Sequence, residues 1–175
     1  GSNAGNDPAF GAAADVLGRD LARADVGLVF GGGGGGLMGR IARAVLDEGG
    51  RVTGIIPRFL IQKEHALLAA QDLVIVDDMH QRKRLMFDRS DAFIALPGGV
   101  GTLEELVEQL TWVQLQRHRK PVLLADIAAF WRPLLALFAH MRNSGFVREG
   151  VEVRYLVAEK SEDAFTMLFA AAQRA

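Results

Sequence analysis

Two carboxylates follow a glycine-rich loop in the stretch IALPGGVGTLEEL, residues 94–106. The loop separates an apolar run from a segment with helical spacing, and Glu104 and Glu105 come directly after it. Backbone N–H groups of such a loop, together with a helix N-terminus, can bind phosphate. A phosphate would repel carboxylates on the same turn, so we expect a glutamate to meet another part of the ligand. Positive charge develops at the anomeric carbon of a sugar when its glycosidic bond breaks. This pattern therefore indicates glycines for phosphate and glutamate for sugar.

A simpler interpretation of these acids stays open. Thr102 is a suitable N-cap residue, and a helix beginning there has an apolar stripe that should face the sheet. The stripe consists of Leu103, Leu106, Val107, Leu110 and Val113. Glu104 and Glu105 lie away from it, as expected for a solvated face whose first-turn glutamates interact favourably with the helix dipole.

A second glycine-rich loop, VFGGGGGGLMGR, contains six consecutive glycines at residues 31–36. It contains a G-x-G-x-x-G pattern, but six glycines in a row match that pattern almost automatically. The next strand ends in GIIPR, without the acid that would hold a dinucleotide ribose, so a nicotinamide or flavin cofactor is disfavoured. A tight turn without a ligand also remains possible. The glycines predicted to bind phosphate are Gly31, Gly32, Gly33 and Gly98.

The candidate cations lie in DDMHQRKRLMF, residues 77–87. Arg82 and Lys83 share a helical face with methionines, which predicts a partly buried cation, whereas Arg84 should lie on the surface. An arginine is suited to a forked grip on phosphate or carboxylate. A surface basic cluster is the alternative. The irregular segment 56–71 could bring Glu64 close to the same ligand.

Composition limits the functional class. The chain has 175 residues, a net charge of −1 and no cysteine. Disulfides, thiol chemistry and cysteine metal sites are therefore excluded, and the scattered histidines predict no metal site. Without a basic field or an aromatic stacking platform, nucleic acid is not an expected partner. No apolar run approaches the roughly 20 residues of a membrane span, so we expect a cytoplasmic protein.

Alternating segments predict the fold. Short runs rich in Val and Ile are typical of buried strands at 26–30, 51–57, 72–78, 91–97, 120–126 and 151–158. Helical spacing occurs at 8–24, 37–48, 78–89, 102–117, 128–144 and 162–174. This alternation indicates an α/β protein with a doubly wound parallel sheet in three α/β/α layers, a single domain over residues 1–175. Ligands of such sheets bind at the carboxyl ends of the strands.

The motifs GGGGGGLMG, MHQRK and PGGVGTLEE, in this order and spacing, closely resemble the LONELY GUY family of phosphoribohydrolases, formerly labelled lysine decarboxylases. The similarity continues through TWVQLQRHRKPV and the Gly-Phe pair at 145–146. Family members usually start with a strand that ends in a Cys-Gly-Ser loop. This chain begins with GSNAGNDPAF, so the resemblance implies that the native first strand is missing before residue 1.

The resemblance implies hydrolysis of the N-glycosidic bond of nucleoside 5′-monophosphates, such as cytokinin riboside monophosphates or AMP, to free base and ribose 5-phosphate. It also implies a Rossmann-like fold, a homodimer, and neither a metal nor an organic cofactor. Arg82 and Glu105 match the family's catalytic pair. Substrate contacts would carry over to Glu64, Lys83, Gly99, Val100, Gly101, Thr102, Leu103, Glu104 and Thr111.

Two other functions can be compared with this one. A lysine decarboxylase needs a pyridoxal-bearing lysine or another electron sink. Lys83 is the only lysine in a candidate site, and nothing around it resembles a pyridoxal motif. A non-catalytic protein of the same architecture, binding or carrying a nucleotide or molybdenum cofactor, is the main alternative. The presence of both Arg82 and Glu105 argues against it, because a carrier does not need the catalytic pair.

Overall fold

Strands and helices alternate in the predicted order in the computed structural model, which describes residues 3–147, 150 and 153–174. The helices within these residues are α1 Pro8–Arg23, α2 Gly36–Asp47, α3 Met79–Asp88, α4 Val100–Gln114, α5 Arg132–Asn143 and α6 Ser161–Ala172. The strands are β1 Leu28–Phe30, β2 Val52–Pro57, β3 Asp72–Val76, β4 Phe93–Ala95, β5 Val122–Ala125 and β6 Leu156–Ala158. Two short 3₁₀ turns follow β2 and β5, at Arg58–Leu60 and Ile127–Ala129.

The chain forms two compact units, one up to Ser90 and one from Asp91 onwards. The first contains a parallel sheet in the order β1-β2-β3, and the second contains a parallel sheet in the order β4-β5-β6. Helices flank both sheets. The predicted α/β class with parallel strands is therefore confirmed, and the single domain over the whole chain stays a prediction.

The first unit has its core between the helix pair α1–α2 and strand β2. Leu17 of α1, Leu37 of α2 and Ile55 of β2 are fully buried. A side chain at Gly18 would lie 2.6 Å from the Cβ of Ala44, so the two helices approach closely at a residue without a side chain. Small residues on α1 therefore permit the contact that holds α2, and with it the glycine-rich loop, in place.

The second unit has its core beneath α4 and α5. Trp131 is buried among apolar side chains of β4, α4 and β5, and its indole N–H donates to the carbonyl oxygen of Ala95 at 3.3 Å. Leu106 and Leu110 of α4 face this core as predicted. Val107, which was expected in the same stripe, is 40% exposed, and that prediction is wrong. The core-facing stripe of α4 is narrower than the apolar pattern suggests.

The start of α4 also differs from the prediction. The helix begins at Val100, and its N-cap is Gly99, which makes no side-chain capping bond. Thr102 is therefore not the N-cap, because glycine already takes the extended conformation that the cap requires. No acidic residue lies in the first turn. Glu104 and Glu105 fall in the second turn, so stabilisation of the first turn by their charges does not explain them.

Helix α5 begins at Arg132, four residues later than predicted. Ala128 and Ala129 have φ values of 51° and 58°, in the left-handed region that interrupts a helix. The carboxylate of Asp126 accepts a bond from the N–H of Trp131 at 2.7 Å, closing the turn after β5. Strand β6 begins at Leu156 rather than at 151, and residues 151 and 152 lie outside the described residues.

Candidate active site

The first turn of α3 is held by reciprocal side-chain bonds. The N-cap Asp78 accepts a hydrogen bond from the N–H of Gln81 at 2.8 Å. The side-chain oxygen of Gln81 in turn accepts from the N–H of Asp77 at 3.2 Å. This arrangement resembles a capping box and fixes where α3 starts. Because the start of the helix is fixed, so is the direction in which the side chain of Arg82, the residue after Gln81, leaves it.

Arg82 is almost entirely buried, with 5% of its surface exposed. Its Nη2 donates to the carbonyl oxygen of Gly31 at 2.9 Å, and its Nη1 donates to the sulfur of Met79 at 3.7 Å. The predicted burial of this cation beside a methionine is confirmed. Arg84 is exposed and pairs with Asp88 of the same helix, as expected for a surface residue.

Glu64 lies next to Arg82 because the segment after β2 folds back onto the glycine-rich loop. The N–H of Leu67 donates to the carbonyl oxygen of Gly32 at 2.8 Å, and the N–H of Gly34 donates to that of His65 at 2.9 Å. The Oε2 of Glu64 is 3.6 Å from the Nη2 of Arg82. Glu64 therefore lies beside Arg82, and its contact with a substrate stays a prediction.

Two buried polar atoms in this cluster have unused hydrogen-bonding capacity. Among the described residues, neither the Nε of Arg82 nor the Oε2 of Glu64 has a hydrogen-bond partner. An unsatisfied buried group costs about 1–3 kcal/mol, more when it is charged. A ligand with a hydroxyl group could donate to the glutamate and accept from the arginine.

The six-glycine loop has a steric reason for its composition. A side chain at Gly31 would overlap the Nη2 of Arg82, and one at Gly33 would overlap Met38. Gly32 has a φ of 78°, which other residues rarely adopt. Because these positions carry no side chains, the loop can turn tightly and the guanidinium group of Arg82 can approach its backbone. Phosphate binding by Gly31, Gly32 and Gly33 stays a prediction.

The loop before α4 differs, because it is open. A Cβ atom at Gly99 or Gly101 would meet nothing within 4 Å, whereas one at Gly98 would overlap Thr102. Val100, between Gly99 and Gly101, is 83% exposed. The first N–H groups of a helix lack partners within the helix. This uncovered start of a 15-residue helix is suited to an anion.

The other predicted contact residues have mixed positions. Glu105 is partly buried and Glu104 is exposed, and Lys83, beside Arg82, is partly buried. Leu103 packs against the core of the second unit, so only its backbone is suited to substrate contact. The hydroxyl of Thr111 donates to the carbonyl oxygen of Val107 at 2.7 Å, which leaves its oxygen as an acceptor.

Sequence reasoning missed Gln109 on α4. Its side chain is 8% exposed, and its Oε1 is buried without a hydrogen-bond partner among the described residues. It lies one helical turn after Glu105. The sequence does contain a signal for this burial. Gln109 lies three residues after Leu106 and directly before Leu110, so its amide falls on the apolar face of the helix and not on the solvated one.

Among the described residues, no group of three or more His, Cys, Asp or Glu side chains could hold a metal ion. None of the helices described is long and apolar enough to cross a membrane.

Parallel strands that lead through glycine loops into helices, with a buried arginine at one loop, define a Rossmann-like α/β protein. The family model described as "Possible lysine decarboxylase" matches residues 38–168. The chain belongs to this family, which includes the phosphoribohydrolases that its motifs resemble. The predicted family is therefore confirmed.

Curated relatives carry a more specific name. The chain is 51% identical over 148 residues to the rice protein LOGL1, named a probable cytokinin riboside 5′-monophosphate phosphoribohydrolase. That match covers 85% of this chain and 66% of the rice protein, so the chain spans just under two thirds of this relative. A Rhodococcoides fascians cytokinin riboside 5′-monophosphate phosphoribohydrolase is 43% identical, with 96% of this chain and 85% of that protein covered.

Solved structures agree on the fold. A molybdenum cofactor carrier protein from Chlamydomonas reinhardtii has a TM-score of 0.74 at 19% identity, covering 100% of this chain and 94% of that one. A molybdenum cofactor binding protein from Rippkaea orientalis has a TM-score of 0.70 at 20% identity, covering 95% and 90%. At this identity the likeness shows the shared fold alone and does not favour the carrier alternative.

Proposed function

We propose that the protein hydrolyses the N-glycosidic bond of nucleoside 5′-monophosphates, releasing the free base and ribose 5-phosphate. Relatives at 42–51% identity are named for this activity on cytokinin riboside 5′-monophosphates. One observation carries the proposal. The buried Arg82 donates to the carbonyl oxygen of Gly31 and lies beside Glu64, and its Nε and the Oε2 of Glu64 have no hydrogen-bond partner among the described residues.

In this proposal, Arg82 holds the substrate and assists departure of the base. Its guanidinium group is shielded from water, so its interaction with a substrate oxygen is stronger than at the surface. Glu64 accepts a hydrogen bond from a substrate hydroxyl. Lys83 contributes a second positive charge from the same helix.

The open loop 98–102 binds the 5′-phosphate, and Glu105 acts on the ribose. The backbone N–H groups at the start of α4 and the positive end of its dipole attract the phosphate. Glu105, in the second turn, stabilises the oxocarbenium-like transition state, or orients or deprotonates the attacking water. Its position beyond the first turn leaves the phosphate-binding turn free of negative charge.

The experiment that tests this function incubates the purified protein with AMP and with isopentenyladenosine monophosphate in parallel. Chromatography follows the free base and ribose 5-phosphate, with adenosine as the control substrate and Glu105→Ala as the control variant. Release from the monophosphates only, lost in the variant, is expected. Nucleotide binding without release would overturn the hydrolase and favour a non-catalytic binding protein. A Glu105→Ala variant that keeps more than about a tenth of the rate would remove Glu105 from the mechanism.

We also propose that the protein acts as a homodimer in the cytoplasm. The homodimer is what the resemblance to the family implies, and the exposed Val107 of α4 and Leu115 at its C-terminal end, 40% and 65% exposed, are apolar side chains that a partner could cover. A chain without cysteine suits a reducing compartment. Sedimentation equilibrium tests the dimer, and imaging of a fluorescent fusion tests the location.

A further inference from the structure

Met79 contacts the guanidinium group of Arg82 through its sulfur atom. The Nη1 of Arg82 lies 3.7 Å from the Sδ of Met79, within the range of a hydrogen bond to sulfur. Met79 is the first residue of α3, and the reciprocal bonds of Asp78 and Gln81 fix that turn. The backbone that carries this side chain is therefore fixed by the start of the helix and does not belong to a loop.

The other nitrogens of the guanidinium group show what this contact achieves. Nη2 is bonded to the carbonyl oxygen of Gly31, and Nε has no hydrogen-bond partner among the described residues. The two hydrogen bonds, from Nη1 to the sulfur and from Nη2 to the carbonyl, orient the plane of the group, and the carboxylate of Glu64 lies 3.6 Å from Nη2. The edge carrying Nε is then the part left for a ligand.

A neutral thioether suits this position better than a stronger, negatively charged hydrogen-bond acceptor. A carboxylate at residue 79 would add a second negative charge beside Arg82, after that of Glu64, and would further reduce its attraction for an anionic or electron-rich substrate. A leucine would remove the sulfur that accepts the hydrogen bond from Nη1. The sulfur of methionine is a weak, neutral acceptor, so it orients the guanidinium group without adding a negative charge to that of Glu64.

We propose that Met79 is a positioning residue, whose thioether sulfur orients the guanidinium group of Arg82 towards the substrate. The proposal rests on the proposed function for its kinetic readout, and on the structure alone for its spectroscopic readout. Loss of the sulfur should lower kcat and leave KM nearly unchanged, because Arg82 still carries its charge but samples unproductive orientations.

The test compares three variants. Met79→Leu removes the acceptor and keeps the volume, Met79→Gln restores a neutral acceptor at similar length, and Met86→Leu is the matched control. Met86 is a partly buried methionine on the same helix. We expect kcat to fall about tenfold in Met79→Leu, from the loss of roughly one hydrogen bond, and to stay within about threefold in the other two. Circular dichroism and thermal unfolding check that all three fold.

Rotation of the Arg82 side chain provides a readout that does not need turnover. NMR line shapes of the guanidinium nitrogens, assigned with an Arg82→Lys variant, should show faster rotation about the Nε–Cζ bond in Met79→Leu than in Met79→Gln or Met86→Leu. If the wild-type protein releases no base, the proposed function fails while this measurement still tests the positioning. Unchanged rotation in Met79→Leu, or an equal loss in Met79→Gln, would overturn the proposal.

Discussion

The Nη2 of Arg82 donates to the carbonyl oxygen of Gly31 across 2.9 Å, joining residues 51 positions apart in the chain. A side chain at Gly31 would occupy the place of that nitrogen. The glycine-rich loop and the arginine therefore depend on each other. Gly31, the first glycine of the run, therefore leaves room for the guanidinium group and does not serve only to form the turn.

Gly31→Ala should lower kcat/KM by roughly 100-fold if Arg82 holds the substrate as proposed, because displacement of a substrate-holding group by about 1 Å has an effect of that size. The measurement is steady-state release of base from AMP. Gly27→Ala is the control, since a Cβ there meets the nearest atom only at 3.9 Å. Equal activity in both variants would show that Arg82 does not need its contact with Gly31.

Arg82 and Glu64 should be energetically coupled in folding. In a double-mutant cycle of Arg82→Met and Glu64→Gln, we expect a coupling of about 1–3 kcal/mol in the free energy of unfolding, because the pair is largely buried. The measurement is urea denaturation followed by circular dichroism. The exposed pair Arg84 and Asp88 on the same helix is the control and should give about 0.5 kcal/mol or less. Similar coupling in both cycles would contradict the importance of burial here.

Gly101→Ala should separate stability from substrate binding. A Cβ at this helical position meets nothing within 4 Å, so the change should stabilise the protein by about 0.5–1 kcal/mol. A methyl group in the turn proposed to bind the 5′-phosphate should raise KM for AMP about tenfold, as expected for a weakened bond to a charged group. Thermal unfolding and initial rates provide the two values. An unchanged KM would argue against phosphate binding at this loop.

His118 should make stability depend on pH. Burial lowers the pKa of His118 below its usual value of 6.5, and the nearby charge of Lys120 lowers it further, against opposing backbone hydrogen bonds. The folded protein therefore favours the neutral ring. Its contribution to stability is complete above pH 6.5 and is lost as the pH falls towards the lowered pKa.

The measurement is the free energy of unfolding at pH 7.5 and at pH 5.5. The wild-type protein should lose more stability on acidification than the His118→Gln variant, which has no ionisable group at this position. Parallel losses in the two proteins would assign the pH dependence to other groups.

Much of the fold could be predicted from local patterns. Short apolar strands and the glycines between strand and helix are encoded within a few residues, so the element order and the parallel α/β class were confirmed. Element boundaries were less accurate, because they depend on backbone conformation. Gly99 caps α4 where Thr102 was expected, and left-handed Ala128 and Ala129 delay the start of α5.

The sequence by itself determined the family and the identity of the candidate residues, because the glycine, arginine and glutamate motifs are contiguous and keep their spacing. Only the tertiary structure decided which groups surround Arg82. Its acceptor at Gly31 and its neighbour Glu64 come from other elements, and no local pattern records which atoms of a buried group remain without partners. The direction of a side chain and its unused hydrogen bonds arise only when distant segments pack together.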